Sequence, residues 1–128
     1  LKKMIKLTNQ EKCIKIYPSI SNPEEYLTDS DIYILISRGE AFPLGPLEAM
    51  SCGLPIIVSN YQPYNEFVNK SVGIKVNRNS ISEIAKAINY FMDYKVRKRF
   101  GTNGREMIEK SFDWRRVGNE YYKIIFNS

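Results

Sequence analysis

Residues 31–58 read DIYILISRGEAFPLGPLEAMSCGLPIIV, and this stretch decides the fold class. Its two apolar runs, 32–36 and 55–58, are short and bounded by polar residues, as is typical of strands buried on both faces of a parallel sheet. Between them we expect a helix that has Gly45 as its N-cap, Pro46 at its first position and Gly53 just past its end. Strand, helix and strand in this order predict a parallel α/β sheet.

The flanking sequence continues the alternation of strands and helices. Residues 80–83 read SISE, a capping box that predicts the start of a helix, and 95–110 predict a long helix disturbed near Gly101 and Gly104. Further strands are predicted at 13–17 and 73–76, a helical turn within 62–69, and further helices at 23–29 and 111–126.

The composition excludes several kinds of site. The chain has 128 residues, a net charge of +5 and no histidine. Catalytic triads that use histidine, and His-based metal sites, are therefore excluded. No apolar run approaches the roughly 20 residues of a membrane-spanning helix. Two cysteines in an ordinary globular composition favour a reducing compartment, so we expect a cytoplasmic location.

The loop from Ser37 to Gly45 carries the most informative chemistry. It follows a buried strand and leads into a helix N-terminus, where free N–H groups and the helix dipole favour an anion. Glu40 and Glu48 lie on either side and can accept hydrogen bonds from hydroxyl groups. Phosphate-binding amides between two hydroxyl acceptors would suit a nucleotide sugar. The plainer interpretation is that Glu48 is favoured by the helix terminus as its third residue, and that Glu40 is an ordinary surface carboxylate.

The stretch from Ser37 to Pro55 resembles the signature of glycosyltransferase family 4, the retaining group 1 enzymes with a GT-B fold. Two glutamates with seven residues between them define that signature, and Glu40 and Glu48 have this spacing. Further matches follow in order along nearly the whole chain, at 47–50, 52–55, Ser59, 65–68, 72–76 and 112–114.

This resemblance implies an α/β fold with a Rossmann-like parallel sheet. Residues 1–128 would form part of the C-terminal nucleotide-sugar-binding half of a GT-B enzyme, truncated at its N-terminus and followed by C-terminal helices. The implied reaction is hexosyl transfer, with retention, from a UDP-, GDP- or ADP-sugar to a glycan or lipid-linked acceptor. The resemblance implies no cofactor and no strictly required metal. The N-terminal domain of the same protein would be a partner, without which the chain is expected to be inactive.

The resemblance also implies roles for single residues. Glu40, the catalytic candidate, would bind the hydroxyls of the donor sugar near the reacting centre, and Glu48 would bind the ribose. The backbone amides of Phe42, Leu44 and Gly45 would face the sugar and the diphosphate. Candidate supporting positions are Ser37, Ala41 and Glu66.

The sequence departs from the family pattern at several places. Ala41 replaces the usual glycine after the first glutamate, which would alter contact with the sugar. The phosphate-binding arginine and lysine of the family would lie upstream of Leu1.

Cys52 is expected to be a small buried residue. Trp114 and the apolar residues within 121–125 are expected to pack into the core.

Three alternatives stay open. A GT-B-like UDP-sugar epimerase would use the same sheet but relies on a histidine that is missing from this sequence. A non-catalytic nucleotide-binding or interaction module could have kept the fold and lost activity. A nucleic-acid-binding module would need a clustered basic face with interleaved aromatics, and 95–99 is too short for one, so no nucleic acid is expected. The basic balance would permit peripheral attachment to the cytoplasmic face of a membrane.

Overall fold

The fold is a three-stranded parallel sheet covered by helices, described for residues 1–126 by a computed structural model. The strands are β1 (Tyr33–Leu35), β2 (Ile56–Ser59) and β3 (Gly73–Val76). The helices are α1 (Lys2–Leu7), α2 (Pro23–Thr28), α3 (Leu44–Ser51), α4 (Ile81–Tyr90), α5 (Tyr94–Ser111) and α6 (Trp114–Phe126), with a 3₁₀ turn at Tyr64–Glu66. The predicted parallel α/β class is confirmed.

The middle strand, β2, organises the sheet because it pairs with both neighbours. Ile57 lies opposite Ile34 of β1 and Ile74 of β3. All four residues of β2 are buried. Since the three strands run parallel, their carboxyl ends meet at one edge of the sheet, where open α/β folds place their ligands.

Each face of the sheet has its own core, because successive side chains of a strand point to opposite sides. On one face, Ile56 and Val58 pack in a cluster with Met50 of α3 and with Tyr64, and partly buried side chains of α5 border it. On the other face, Ile57 packs in a cluster with four further buried side chains, those of Val76, Ala87, Phe91 and Phe100. The sheet is therefore covered on both sides, as a parallel sheet requires.

Helices α3 and α5 approach closely at two glycines. A Cβ at Gly101 would overlap the carbonyl oxygen of Gly53, and a Cβ at Gly104 would lie 3.3 Å from Cγ of Met50. Gly53 has a φ of +77°, and the next amide, that of Leu54, donates to the carbonyl of Ala49 at 3.0 Å, which closes the C-terminus of α3. The expected disturbance of α5 is wrong: the helix is continuous, and its glycines make room for α3.

Two strand predictions need correction. Residues 13–17 form no strand, and Ile14, Ile16 and Tyr17 are exposed there. Alternating apolar residues form a strand only where a neighbour offers a ladder of hydrogen bonds, and β1 pairs only with β2 among the residues described. The same arrangement leaves β1 at the edge of the sheet. Ile34 is consequently 42% exposed, so the expectation that β1 is buried on both faces is also wrong.

The apolar face of α6 is exposed, which corrects the expectation that it packs into the core. Trp114 is 79% exposed and Ile124 70% exposed. No residue of α6 between its start and Phe126 is buried. Amphipathic spacing predicted the helix correctly, but it could not identify the surface against which the apolar face packs.

One of the two hydrogen bonds of the predicted capping box forms at the start of α4, and the other has a different partner. The hydroxyl of Ser80 accepts from the amide of Glu83 at 3.3 Å, as predicted. The carboxylate of Glu83 accepts from the amide of Asn77 at 2.8 Å, three residues before the cap. Glu83 thereby fixes the turn between β3 and α4.

None of the helices described up to residue 126 is both long and apolar enough to cross a membrane.

Candidate donor site

The candidate site lies at the carboxyl end of β1, where the loop 36–43 leads into α3. This loop carries Glu40, Ala41 and Phe42, all of which are exposed. The ring of Phe42 packs against that of the buried Phe67, with centroids 6.2 Å apart. The first half of the family signature is therefore presented to solvent at the sheet edge that binds ligands in open α/β folds.

Helix α3 begins earlier than the sequence predicts. Its N-cap is Pro43 rather than Gly45, so the free amides of Leu44 and Gly45 belong to its first turn. Pro46, the third residue, has no N–H to offer. No side chain caps this helix, so its first amides remain available to an anion at the positive end of the helix dipole.

This shift changes the interpretation of Glu48. With the helix starting at Leu44, Glu48 is its fifth residue and lies in the second turn, and the first turn contains no acidic residue. A preference for glutamate at the helix terminus therefore does not explain Glu48. Its exposed carboxylate is free to accept hydrogen bonds from hydroxyl groups.

The phenol of Tyr33 lies against the start of α3. A Cβ at Gly45 would overlap the Tyr33 hydroxyl oxygen, so the ring rests against the backbone of the first turn. Burial raises the pKa of Tyr33, and the nearby Tyr64, Glu48 and Glu40 raise it further. The hydroxyl therefore stays protonated at neutral pH and able to donate a hydrogen bond.

Three side chains donate hydrogen bonds to backbone carbonyls of the loop. One lies on β2, one just after β2 and one just after β3. The buried hydroxyl of Ser59 donates to the carbonyl of Ser37 at 2.9 Å. Nη1 of Arg78 donates to the carbonyl of Arg38 at 3.2 Å, and the hydroxyl of Tyr61 donates to the carbonyl of Glu40 at 3.4 Å. The loop carrying Glu40 is therefore tied to the carboxyl ends of the two other strands.

A second buried phenol supports the loop. The hydroxyls of Ser37 and Tyr64 are hydrogen-bonded at 3.4 Å. Burial raises the pKa of Tyr64, the hydrogen bond with Ser37 lowers it, and the nearby Tyr61 and Glu40 raise it again. Ser37 is thus hydrogen-bonded through both its side chain and its carbonyl.

Comparisons with known proteins identify the family of the chain. The model of the family described as glycosyl transferases group 1 matches residues 1–107. An uncharacterised glycosyltransferase of Methanocaldococcus jannaschii is 36% identical over 98 residues, which are 74% of this chain and 25% of the relative. The chain belongs to the group 1 glycosyltransferases.

Two further relatives extend this family assignment. The UDP-Gal:α-D-GlcNAc-diphosphoundecaprenol α-1,3-galactosyltransferase of Escherichia coli is 38% identical over 88 residues, 68% of this chain and 23% of that enzyme. The crystal structure of a glycosyltransferase from Rickettsia africae superimposes with a TM-score of 0.85 at 24% identity, covering 99% of this chain and 36% of that one. The fold is that of the C-terminal domain of GT-B glycosyltransferases. The chain spans about a quarter of the curated relatives it matches.

The structure places Glu40 in the exposed loop before α3 and Glu48 in the second turn of that helix. Glu66 is exposed in the 3₁₀ turn after β2. Cys52, expected to be buried, is only partly so. No group of three metal-binding side chains is found among residues 1–126.

Sequence reasoning missed four contributors to this site, which are Tyr33, Ser59, Tyr61 and Arg78. For Ser59, Tyr61 and Arg78 a usable signal was present, because the polar runs 59–61 and 77–79 directly follow two predicted strands. Side chains at the carboxyl ends of parallel strands meet at one edge, so both runs should have been considered together with the loop. In the structure these two runs line one cleft of about 330 Å³.

Gly45→Ala is expected to destabilise the domain because the added methyl group meets the Tyr33 hydroxyl. We expect a loss of about 1–3 kcal/mol of unfolding free energy, as for other overpacked sites. Tyr33→Phe removes the overlapping oxygen and leaves the ring carbon Cζ at 3.4 Å, an ordinary contact. The double variant should therefore recover most of the loss in urea unfolding. Additive losses would show that Tyr33 does not contact Gly45.

Proposed function

We propose that this chain supplies part of the donor site of a retaining glycosyltransferase that uses a nucleotide diphosphate sugar. The observation that carries the proposal is the placement of the two glutamates of the family signature on either side of the uncapped start of α3, with Glu40 in the exposed loop before it and Glu48 exposed in its second turn. The diphosphate would lie at the amides of Leu44 and Gly45. Glu48 would accept hydrogen bonds from the ribose and Glu40 from the sugar, each stronger for the charge on the carboxylate.

In the proposed reaction the bond between the anomeric carbon and the phosphate oxygen breaks. A bond from the acceptor hydroxyl oxygen to the same carbon forms on the same face of the sugar, which retains the configuration. The proton of the acceptor hydroxyl passes to the departing phosphate oxygen. Glu40 holds the sugar in position during this exchange, and its negative charge favours the positive charge that develops on the ring.

The nucleotide and the remaining parts of the enzyme are part of the proposal. UDP is the first candidate, because the similar E. coli enzyme is named for a UDP-galactose donor. ADP and GDP are the other nucleotides to compare. The acceptor would be a glycan or a lipid-linked sugar, bound by an N-terminal domain of the same protein. A cytoplasmic location with peripheral attachment to the membrane face would suit a lipid-linked acceptor.

Titration with UDP, GDP and ADP, followed by ligand-observed NMR, tests this proposal. We expect weak binding of one nucleotide, with Glu48→Ala reducing its affinity about tenfold or more, because a hydrogen bond to a charged group is lost. Glu24→Ala, which removes an exposed carboxylate from α2, serves as the matched control and should bind like the unchanged chain. If neither this chain nor the complete enzyme binds any of the three nucleotides, the proposal is wrong.

A further inference from the structure

The part of the loop around Glu40, residues 37–40, is held by hydrogen bonds from side chains. Its carbonyls at Ser37, Arg38 and Glu40 each accept a hydrogen bond from a side chain that lies 21 to 40 residues further along the sequence. At Gly39, in the middle of the loop, a Cβ would meet no atom within 4 Å. The hydrogen bonds are therefore the main restraint on this part of the backbone.

The donors of these bonds lie on segments that have contacts of their own. Ser59 is buried at the end of β2. The ring of Tyr61 meets that of the fully buried Tyr64 edge to face, with centroids 5.3 Å apart. Arg78 follows β3, where Glu83 fixes the preceding turn by accepting from the amide of Asn77. Three separate hydrogen bonds thus connect the loop to the end of β2 and to the segments that follow β2 and β3.

We propose that Tyr61 and Arg78 are positioning residues, which fix the backbone around Glu40 so that its carboxylate meets the donor sugar in a set geometry. This inference rests on the proposed function, since it assumes that Glu40 binds the sugar. The Tyr61 bond, at 3.4 Å, is long for a hydroxyl donor and can shorten when a ligand fills the loop. Preorganisation of this kind reduces the entropy lost on binding.

The effect of Tyr61 and Arg78 can be separated experimentally from the effect of the residues proposed to contact the donor. Tyr61 and Arg78 both line the cleft beyond the carboxyl ends of β2 and β3. Both donate to backbone carbonyls of the loop, so their removal leaves every side chain of the family signature in place. A change in affinity for the sugar nucleotide, with none for UDP, would therefore come from the loop rather than from a lost contact with the nucleotide.

The double variant Tyr61→Phe/Arg78→Gln tests the proposal, with Tyr90→Phe/Arg99→Gln as a control that makes the same two chemical changes on α4 and α5. The first readout is the ¹⁵N order parameter of residues 38–41, measured by NMR relaxation without ligand. We expect rigid values of about 0.85 in the unchanged chain and in the control, and values of about 0.6 or below in the double variant. Unchanged order parameters in the double variant would overturn the proposal.

The second readout is affinity for UDP-galactose compared with UDP. Loss of the two hydrogen bonds should weaken binding of the sugar nucleotide about tenfold, since each is worth a factor of a few. Binding of UDP, which does not reach Glu40, should be nearly unchanged. Equal affinities of the double variant and the control for UDP-galactose would also overturn the proposal.

The two readouts distinguish this inference from the proposed function. A loosened loop in the double variant, when neither this chain nor the complete enzyme binds a nucleotide, refutes the donor site but leaves the loop restraint standing. Unchanged order parameters in a double variant that binds the nucleotides normally refute the loop restraint but leave the donor site standing. If the amide signals of β2 lose their dispersion in the double variant, that variant is misfolded. The single variant Tyr61→Phe, which removes only one hydroxyl, is then measured in its place and judged by the same two readouts.

Discussion

Gly101→Ala is expected to lower the free energy of unfolding by about 3 kcal/mol, the upper end of the range for overpacked sites. The new methyl group would overlap the carbonyl oxygen of Gly53 and lie 2.8 Å from the carbon of the same carbonyl. Backbone atoms cannot turn aside as a flexible side chain can. Gly53 is also held by its own φ of +77° at the end of α3. Relief therefore requires α5 to move away from α3, which opens the core.

Two other glycines provide graded controls for urea unfolding. Gly104→Ala places its methyl group 3.3 Å from Cγ of Met50, a flexible side chain, so the loss should be smaller. Gly118→Ala on α6 meets nothing within 4 Å and should not destabilise, because alanine is favoured over glycine in a helix by about 0.5–1 kcal/mol. Equal stabilities of the Gly101 and Gly118 variants would contradict the close packing of α3 on α5.

Glu40→Ala and Glu48→Ala are expected to affect donor binding in different ways. Glu40 should contact only the sugar, so its removal should weaken binding of UDP-galactose about tenfold to a hundredfold and leave UDP affinity nearly unchanged. Glu48 should contact the ribose, so its removal should weaken both ligands by similar factors. Isothermal titration with the two ligands measures the four affinities.

The contrast between the two variants is the informative result. If Glu40→Ala weakens UDP as much as UDP-galactose, the assignment of Glu40 to the sugar is wrong. If Glu48→Ala leaves both affinities unchanged, the ribose is bound elsewhere. Glu24→Ala again controls for the loss of one exposed carboxylate.

The sequence predicted the strands and the loop of the site because these depend on local patterns. The apolar runs before Ser37 and after Gly53 became β1 and β2, with the connecting helix between them. The same local signals placed Glu40 in the loop and Glu48 on the helix. These features follow from hydrophobic patterning, proline and glycine, which act over a few residues.

The remaining features depend on distant contacts, and the sequence could not predict them. Residues 13–17 alternate like a strand but have no neighbour to pair with among the residues described. Helix α3 starts at Leu44 rather than after Gly45, and this single shift moves Glu48 out of the first turn. The guanidinium of Arg78 reaches the loop only because parallel strands bring separate segments to one edge.

The most direct test of the donor site is a comparison of ¹H–¹⁵N spectra of this chain with UDP and with UDP-galactose. The account predicts shifts at the amides of Leu44, Gly45 and Glu48 with either ligand, and further shifts at Glu40 and Phe42 only when the sugar is present. Shifts confined to the basic residues 95–99, or no difference between the two ligands around Glu40, would contradict it.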